Sequence, residues 1–250
     1  VYPGTVLEVP YVGHFSEIFE VSTMAVPKLR LTYFPFQGAA EKVRLALVLG
    51  GIDFEDVRVP FPAWPALKPT TPYGQLPLLT IDDGEPLAQS VAMLRYAGRL
   101  ASTSGKADLY PVGRMLEVDE ACGFVTDIER AWRPPVGVGI DPSTYGYAAD
   151  FSGTEGHAAV VKAVREQFVA EALPKYMEFL GKRLGDDRRF LCGDAPTIAD
   201  CWLIPILNRF TCGAVDHVPV ECLEPFPTVV AYVARFMELD EVKAWYATAE

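Results

Sequence analysis

Histidine and positive charge are both scarce in this 250-residue sequence. There are three histidines, His14, His157 and His217, and none stands at ligand spacing from a cysteine or another histidine. No metal site is expected. Lysine and arginine total 22 against 33 aspartates and glutamates, a formal charge of −11. Nucleic acid and anionic membranes both need clustered basic residues, so neither is expected as a partner. Long apolar runs are also missing. "LALVLGGI" and "CWLIPIL" fall well short of the ~18 residues that a membrane span requires, and a soluble chain is expected.

There is no CxxC motif. The five cysteines, Cys122, Cys192, Cys201, Cys212 and Cys222, are odd in number, which favours free thiols in a reducing compartment such as the cytoplasm. Residues 1–23 contain neither Lys nor Arg, which argues against a secretory leader and against an Arg-rich transit peptide. Met24 would serve as a start, so residues 1–23 are read as an N-terminal extension, non-native or disordered.

Half of the residues are hydrophobic, enough to bury one large core or two smaller ones. "KLRLTYF" alternates Leu29, Leu31 and Tyr33 against Arg30, Thr32 and Phe34, as a strand with two unlike faces does. From Ala39 the period becomes helical, with Val43, Ala46, Leu47 and Gly50 on one face and Gly50-Gly51 as a stop. "DFEDVRV" reads as a second strand, completing a βαβ unit. "FPAWPALKPTTPYGQ" is too rich in proline for regular structure. "LPLLTI" and "EPLAQ" then flank Asp82-Asp83-Gly84 as a hairpin, and a helix starts near Ser90.

After about residue 103 the pattern is helical, over 112–132, 157–184, 197–210 and a broken pair in 227–249. The Gly- and Pro-rich stretch around 134–156 is expected to be a long loop, of the kind used as a functional lid or left disordered. "CGDAPTIAD" carries a capping box, in which Thr197 and Asp200 satisfy each other's backbone, ahead of the apolar run of a core helix.

Four features point to chemistry. Pro77 opens a strand after a loop, and a cis bond there would leave the Leu76 backbone free to pair with an extended peptide. Gln89-Ser90 sits at a helix N-terminus, where amide groups and a hydroxyl can hold a carboxylate. Trp64 and Lys68 offer an indole N–H and a cation to a second carboxylate. Tyr33 ends its strand at the same edge, and its phenol can donate to a thiolate and lower a thiol pKa from about 8.5. Phe34 and Phe36 beside it could floor an apolar pocket.

These residues resemble a cytosolic glutathione transferase of the tyrosine type, closest to the sigma class, from about Lys28 to the C-terminus. The motifs are "LTYF" with Gly38 and Glu41, "WPALKPTTPYGQLPLL", "QSVAMLRYAGRL" and "GDAPTIAD". The resemblance implies an α/β thioredoxin-like N-terminal domain near 24–102, a linker at 103–112 and an all-α domain over 113–250. It implies that Tyr33 donates to the glutathione thiolate, and that Trp64 and Lys68 meet the glycyl carboxylate. Leu76 would pair with the cysteinyl unit beside Pro77, assisted by Gln75, and Gln89 and Ser90 would hold the γ-glutamyl carboxylate. The amino group would meet Asp127 of a partner subunit, Asp119 being the weaker choice, which requires a homodimer.

The activity implied is detoxifying attack of the thiolate on a hydrophobic electrophile or a peroxide. One departure stands out: sigma-class enzymes usually carry an arginine after the glycine of the first turn, and this sequence has Ala39 there and Gln37 at another such position. That places more of the thiolate stabilisation on Tyr33 and implies weaker turnover. Two rivals share the scaffold: a non-catalytic crystallin-like or ligand-carrying protein, and a glutathione-dependent prostaglandin-type isomerase.

Overall fold

The computed structural model describes residues 26–104 and 106–248. The expected N-terminal extension, residues 1–23, lies outside them.

A three-stranded sheet of order β2-β1-β3 organises the first part of the chain. Strand β1 (Leu29–Tyr33) runs parallel to β2 (Phe54–Arg58) and antiparallel to β3 (Leu78–Ile81). Its burial alternates as the sequence predicts, with Leu29, Leu31 and Tyr33 inside. Helix α1 (Glu41–Leu49) makes the crossover between β1 and β2 and is buried on nearly every side. Four positions on one face therefore understate its apolar surroundings, because helices from the C-terminal half also pack on it.

The expected hairpin is reduced. Only Leu79 and Leu87 pair across it, through reciprocal N–H···O bonds of 2.8 and 2.9 Å. Pro86 has no N–H to extend a ladder, which accounts for the missing second strand.

A short helix α2 (Trp64–Leu67) lies within the proline-rich segment, and α3 (Ser90–Ser104) follows the hairpin. The rest is helical: α4 (Met115–Ile140), α5 (Glu155–Gln167), α6 (Leu173–Leu184), α7 (Ile198–Thr211), α8 (Pro227–Met237) and α9 (Asp240–Thr248). A π-helical turn at Phe168–Ala172 joins α5 to α6 just before Pro174, whose missing N–H suits a widened turn.

The expected loop from 134 is corrected by α4, which runs through Pro134 and Pro135 to Ile140. Those prolines leave the carbonyls of Arg130 and Ala131 without their usual donors. Tertiary bonds hold the turns beyond. The Tyr145 hydroxyl donates to the Arg133 carbonyl at 3.1 Å, Arg165 Nε donates to Pro135 O at 3.1 Å, and His157 Nε2 meets Val138 O at 2.8 Å. Gly137 lets Tyr145 come this close, since a Cβ there would stand 2.1 Å from its hydroxyl oxygen.

Helix α7 forms the centre of the helical half. Asp200, fully buried, accepts from Thr197 N at 2.7 Å and from the Thr197 hydroxyl at 2.9 Å. It also accepts from Leu191 N at 2.9 Å and from the Tyr232 hydroxyl at 2.8 Å. The capping residue thus also fastens the preceding loop and α8 to the helix start. The cysteines are free; Cys122, Cys192 and Cys201 are buried, Cys212 is exposed, and burial pushes the Cys122 thiol up to about 12.

Candidate functional site

The end of β1 and the turn after it set the position of Tyr33. Its ring is buried, and its hydroxyl accepts the Ala39 N–H at 3.1 Å. The phenolic proton is thereby left free for an outside acceptor. Burial raises the Tyr33 pKa, partly offset by the Ala39 bond and by the charges of Arg44 and Arg209. The phenol therefore stays neutral, a donor at physiological pH.

Arg44 fixes the same turn from below. Fully buried, it donates to Phe36 O at 3.1 Å, Gln37 O at 3.2 Å, Glu41 at 3.1 Å and Asp56 at 3.0 Å. Its guanidinium lies 5.7 Å from the centre of the Tyr33 ring. At Gly38, φ is +47° and a Cβ would fall 2.5 Å from the Tyr33 hydroxyl, so glycine is required there on both counts.

Tyr33 opens on a cleft of about 820 Å³ between the sheet-bearing half and the helical half. Of the residues singled out in the sequence, Tyr33, Phe36, Gln75, Leu76, Pro77, Gln89 and Ser90 all line it. The Leu76–Pro77 peptide is cis. Gln89 sits at φ +80°, a conformation that non-glycine residues adopt rarely. It immediately precedes the first residue of α3, Ser90.

Trp64, Lys68, Phe34 and Asp127 lie outside the cleft wall. Trp64 stands edge-on to Phe34 at 5.5 Å, and the Lys68 side chain runs beside Gly74, the residue before Gln75. Phe34 and Phe36 both stack on Phe61, at 5.1 and 5.9 Å, but only Phe36 lines the cleft. Asp127 is exposed on α4 and pairs with Arg130 at 3.5 Å. Asp119, the weaker choice, is engaged by Arg95 at 3.1 Å and by the Tyr110 hydroxyl at 3.0 Å.

The opposite wall was not read from the sequence. It is one face of α4 (Thr126, Glu129, Arg130, Arg133, Val136, Gly137 and Ile140) facing one face of α7 (Trp202, Pro205, Ile206 and Arg209). Helical spacing carried the signal in both. In α4 it was cut short at the two prolines. Lys42 rises from α1 into the floor, 3.3 Å from Glu129 and 4.2 Å from the centre of the Trp202 ring. Among the described residues, no group of three or more His, Cys, Asp or Glu is placed to hold a metal ion.

The model of the glutathione S-transferase N-terminal domain matches residues 39–100, and that of the C-terminal domain residues 150–249. The chain is 30% identical over 223 residues to glutathione S-transferase 1 of Ascaris suum, covering 89% of this chain and 97% of that protein. The crystal structure of the glutathione S-transferase from Ascaris lumbricoides superposes with a TM-score of 0.69 at 30% identity, over 90% of this chain and 98% of that one. Prostaglandin synthase D of Nilaparvata lugens superposes at 0.71 with 25% identity, over 90% and 100% of the two chains.

A small thioredoxin-like sheet unit joined to a helical one, with a phenol opening on the cleft between them, defines a class of thiol-activating enzymes. This chain belongs to the cytosolic glutathione S-transferase family. It is a glutathione transferase, which takes glutathione as co-substrate and activates its thiolate for attack on a hydrophobic electrophile.

Proposed function

We propose that Tyr33 donates its phenolic proton in a hydrogen bond to the glutathione thiolate and acts electrostatically, without forming a covalent intermediate. The observation that carries this reading is the Ala39 N–H bond to the phenol oxygen, which leaves the hydroxyl proton free to point into the cleft. In the same reading Leu76 pairs with the cysteinyl backbone beside Pro77, and Gln75 assists. Gln89 and Ser90 hold the γ-glutamyl carboxylate at the start of α3. Trp64 and Lys68 reach the glycyl carboxylate from outside the cleft wall. Asp127 of a second copy meets the γ-glutamyl amino group, which makes the working enzyme a homodimer.

The tripeptide then rests on a unit near residues 24–102, and the apolar electrophile lies against the helices from residue 113 onward. The reading is of a sigma-like enzyme acting in detoxification in the cytoplasm. Likeness to a prostaglandin synthase supports a second reading, glutathione-dependent isomerisation of a lipid endoperoxide, which shares the thiolate and differs in the second substrate.

The test is titration of the bound thiol by its ultraviolet absorbance in wild type and Tyr33→Phe. The variant should bind glutathione within about threefold of wild type but titrate at least about one unit higher, since one unit corresponds to roughly 1.4 kcal/mol of preference for the thiolate. Identical titration curves would remove Tyr33 from the mechanism.

A further inference from the structure

The protein is acidic overall, yet its cleft is basic. Four cations line it, Lys42, Arg130, Arg133 and Arg209, against a single acid, Glu129. Lys42 is matched by Glu129 at 3.3 Å, and Glu129 also accepts from Trp202 Nε1 at 2.6 Å. Arg130, largely in solvent, pairs with Asp127. Two guanidinium groups remain, those of Arg133 and Arg209, and among the described residues neither meets a carboxylate or a carbonyl oxygen.

Arg209 is the more unusual of the two. It ends the cleft-facing row of α7 after Trp202, Pro205 and Ile206, and it is half-buried. It is also close enough for its charge to act on the Tyr33 phenol. A half-buried cation without a carboxylate partner has given up part of its hydration with no ion pair in return. An anion on the cleft's occupant would offset that loss. A guanidinium favours a carboxylate, which it can meet with two parallel hydrogen bonds.

We infer that the second-substrate half of this cleft is built for apolar electrophiles that carry a carboxylate, with Arg209 as the residue that reads the acid and Arg133 as a second contact nearer solvent. Phe36, Val136 and Ile206 supply the apolar surface for the rest of the molecule. The inference rests on the transferase reading and narrows it to a substrate class.

Two aryl chlorides of similar shape test it on the full-length protein at saturating glutathione: 4-chloro-3-nitrobenzoate and its methyl ester. In both, the thiolate sulfur bonds to the ring carbon and chloride leaves with the electron pair. Dividing each kcat/KM by the uncatalysed rate removes the difference in ring activation. Wild type should then favour the acid over the ester by about tenfold or more, the scale of one charge-assisted hydrogen bond. Arg209→Met should bring that ratio close to one, chiefly through the KM for the acid, and Arg209→Lys should restore part of it. Among the described residues, no ion partner of Arg209 is orphaned by either change.

Equal corrected rates in wild type would overturn the inference, as would an Arg209→Met enzyme that keeps its acid preference while its KM for glutathione rises. If neither chloride reacts measurably, this pair is too weakly activated for the thiolate, the transferase reading stands on the Tyr33 titration, and binding decides the inference separately. Non-reactive 3-nitrobenzoate and its methyl ester should quench Trp132 and Trp202, which both line the cleft. Tighter binding of the acid, lost in Arg209→Met, supports the inference; equal binding of acid and ester overturns it.

Discussion

Trp245, in the last helix, donates its indole N–H to Glu41 at the start of α1, 3.1 Å away and 204 residues earlier in the chain. Glu41 in turn accepts from Arg44 Nη1, the same nitrogen that meets the carbonyls of Phe36 and Gln37 in the turn that carries Gly38. The C-terminal helix is thus joined by three consecutive contacts to the turn that positions the Tyr33 hydroxyl. Replacing Trp245 with Phe keeps a ring against Phe54 but leaves one oxygen of a buried carboxylate without that donor. Urea unfolding should show a loss of about 1–3 kcal/mol, the usual range for a buried acceptor deprived of its bond. A variant as stable as wild type would show that Glu41 does not depend on this contact.

Gly38→Ala tests the turn itself. The new methyl group would meet the Tyr33 hydroxyl and the Phe36 ring, each at 2.5 Å, on a backbone at φ +47°. Displacing the phenol should lower kcat far more than thermal stability, with a drop of about tenfold or more in kcat for a melting shift of only a few degrees. Full activity in the alanine variant would mean that the turn can relax without moving Tyr33.

Lys42 gives a pH test. Burial lowers its pKa from 10.5, and Glu129 opposes the shift without cancelling it. Between the lowered folded value and 10.5 the unfolded chain binds the extra proton, so wild-type stability rises with pH through that window. Lys42→Met removes this dependence, and Glu129 keeps its Trp202 bond and partial exposure to solvent. The variant should match or exceed wild type at pH 7, with a margin that shrinks as pH approaches the ordinary lysine value. Denaturant titrations across pH check this. A margin that stays constant rules out the coupling.

Asp200→Ala removes the acceptor that holds Thr197, Leu191 and Tyr232 together at a fully buried point. Three elements lose an anchor at once. The cost should exceed about 3 kcal/mol, at the high end for a single substitution. Tyr232→Phe, which loses only one of the bonds, should cost about 1–2 kcal/mol. Equal losses in calorimetry would show that the bonds to Thr197 and Leu191 contribute nothing.

The wall of the cleft that carries Tyr33 was legible in the sequence because local punctuation marks each of its parts. Tyr33 ends an alternating strand, Pro77 opens another, and Gln89-Ser90 starts a helix. Short-range geometry fixes all three. The helical wall was not legible beyond Trp132, because Pro134 and Pro135 ordinarily end a helix. The bonds that carry α4 through them come from Tyr145, His157 and Arg165, which no local window contains. Lys42 escaped notice for another reason. Every side of α1 is covered, so periodicity could not single out the one charged side chain that turns toward the cleft. Arg209 fell in a helix that was correctly placed, but only the facing of α4 and α7 shows that it meets no carboxylate among the described residues.

The last turns of α4 owe their shape to residues 145–165, whereas the phenol owes its position to the turn after β1 and to the Arg44, Glu41 and Trp245 contacts behind it. The two sides of the cavity therefore vary independently. Replacements along that outlying stretch can alter which molecules enter, with no effect on the sulfur chemistry across from it. Such an enzyme can acquire new clients by drift in its periphery while its reactive centre stands still.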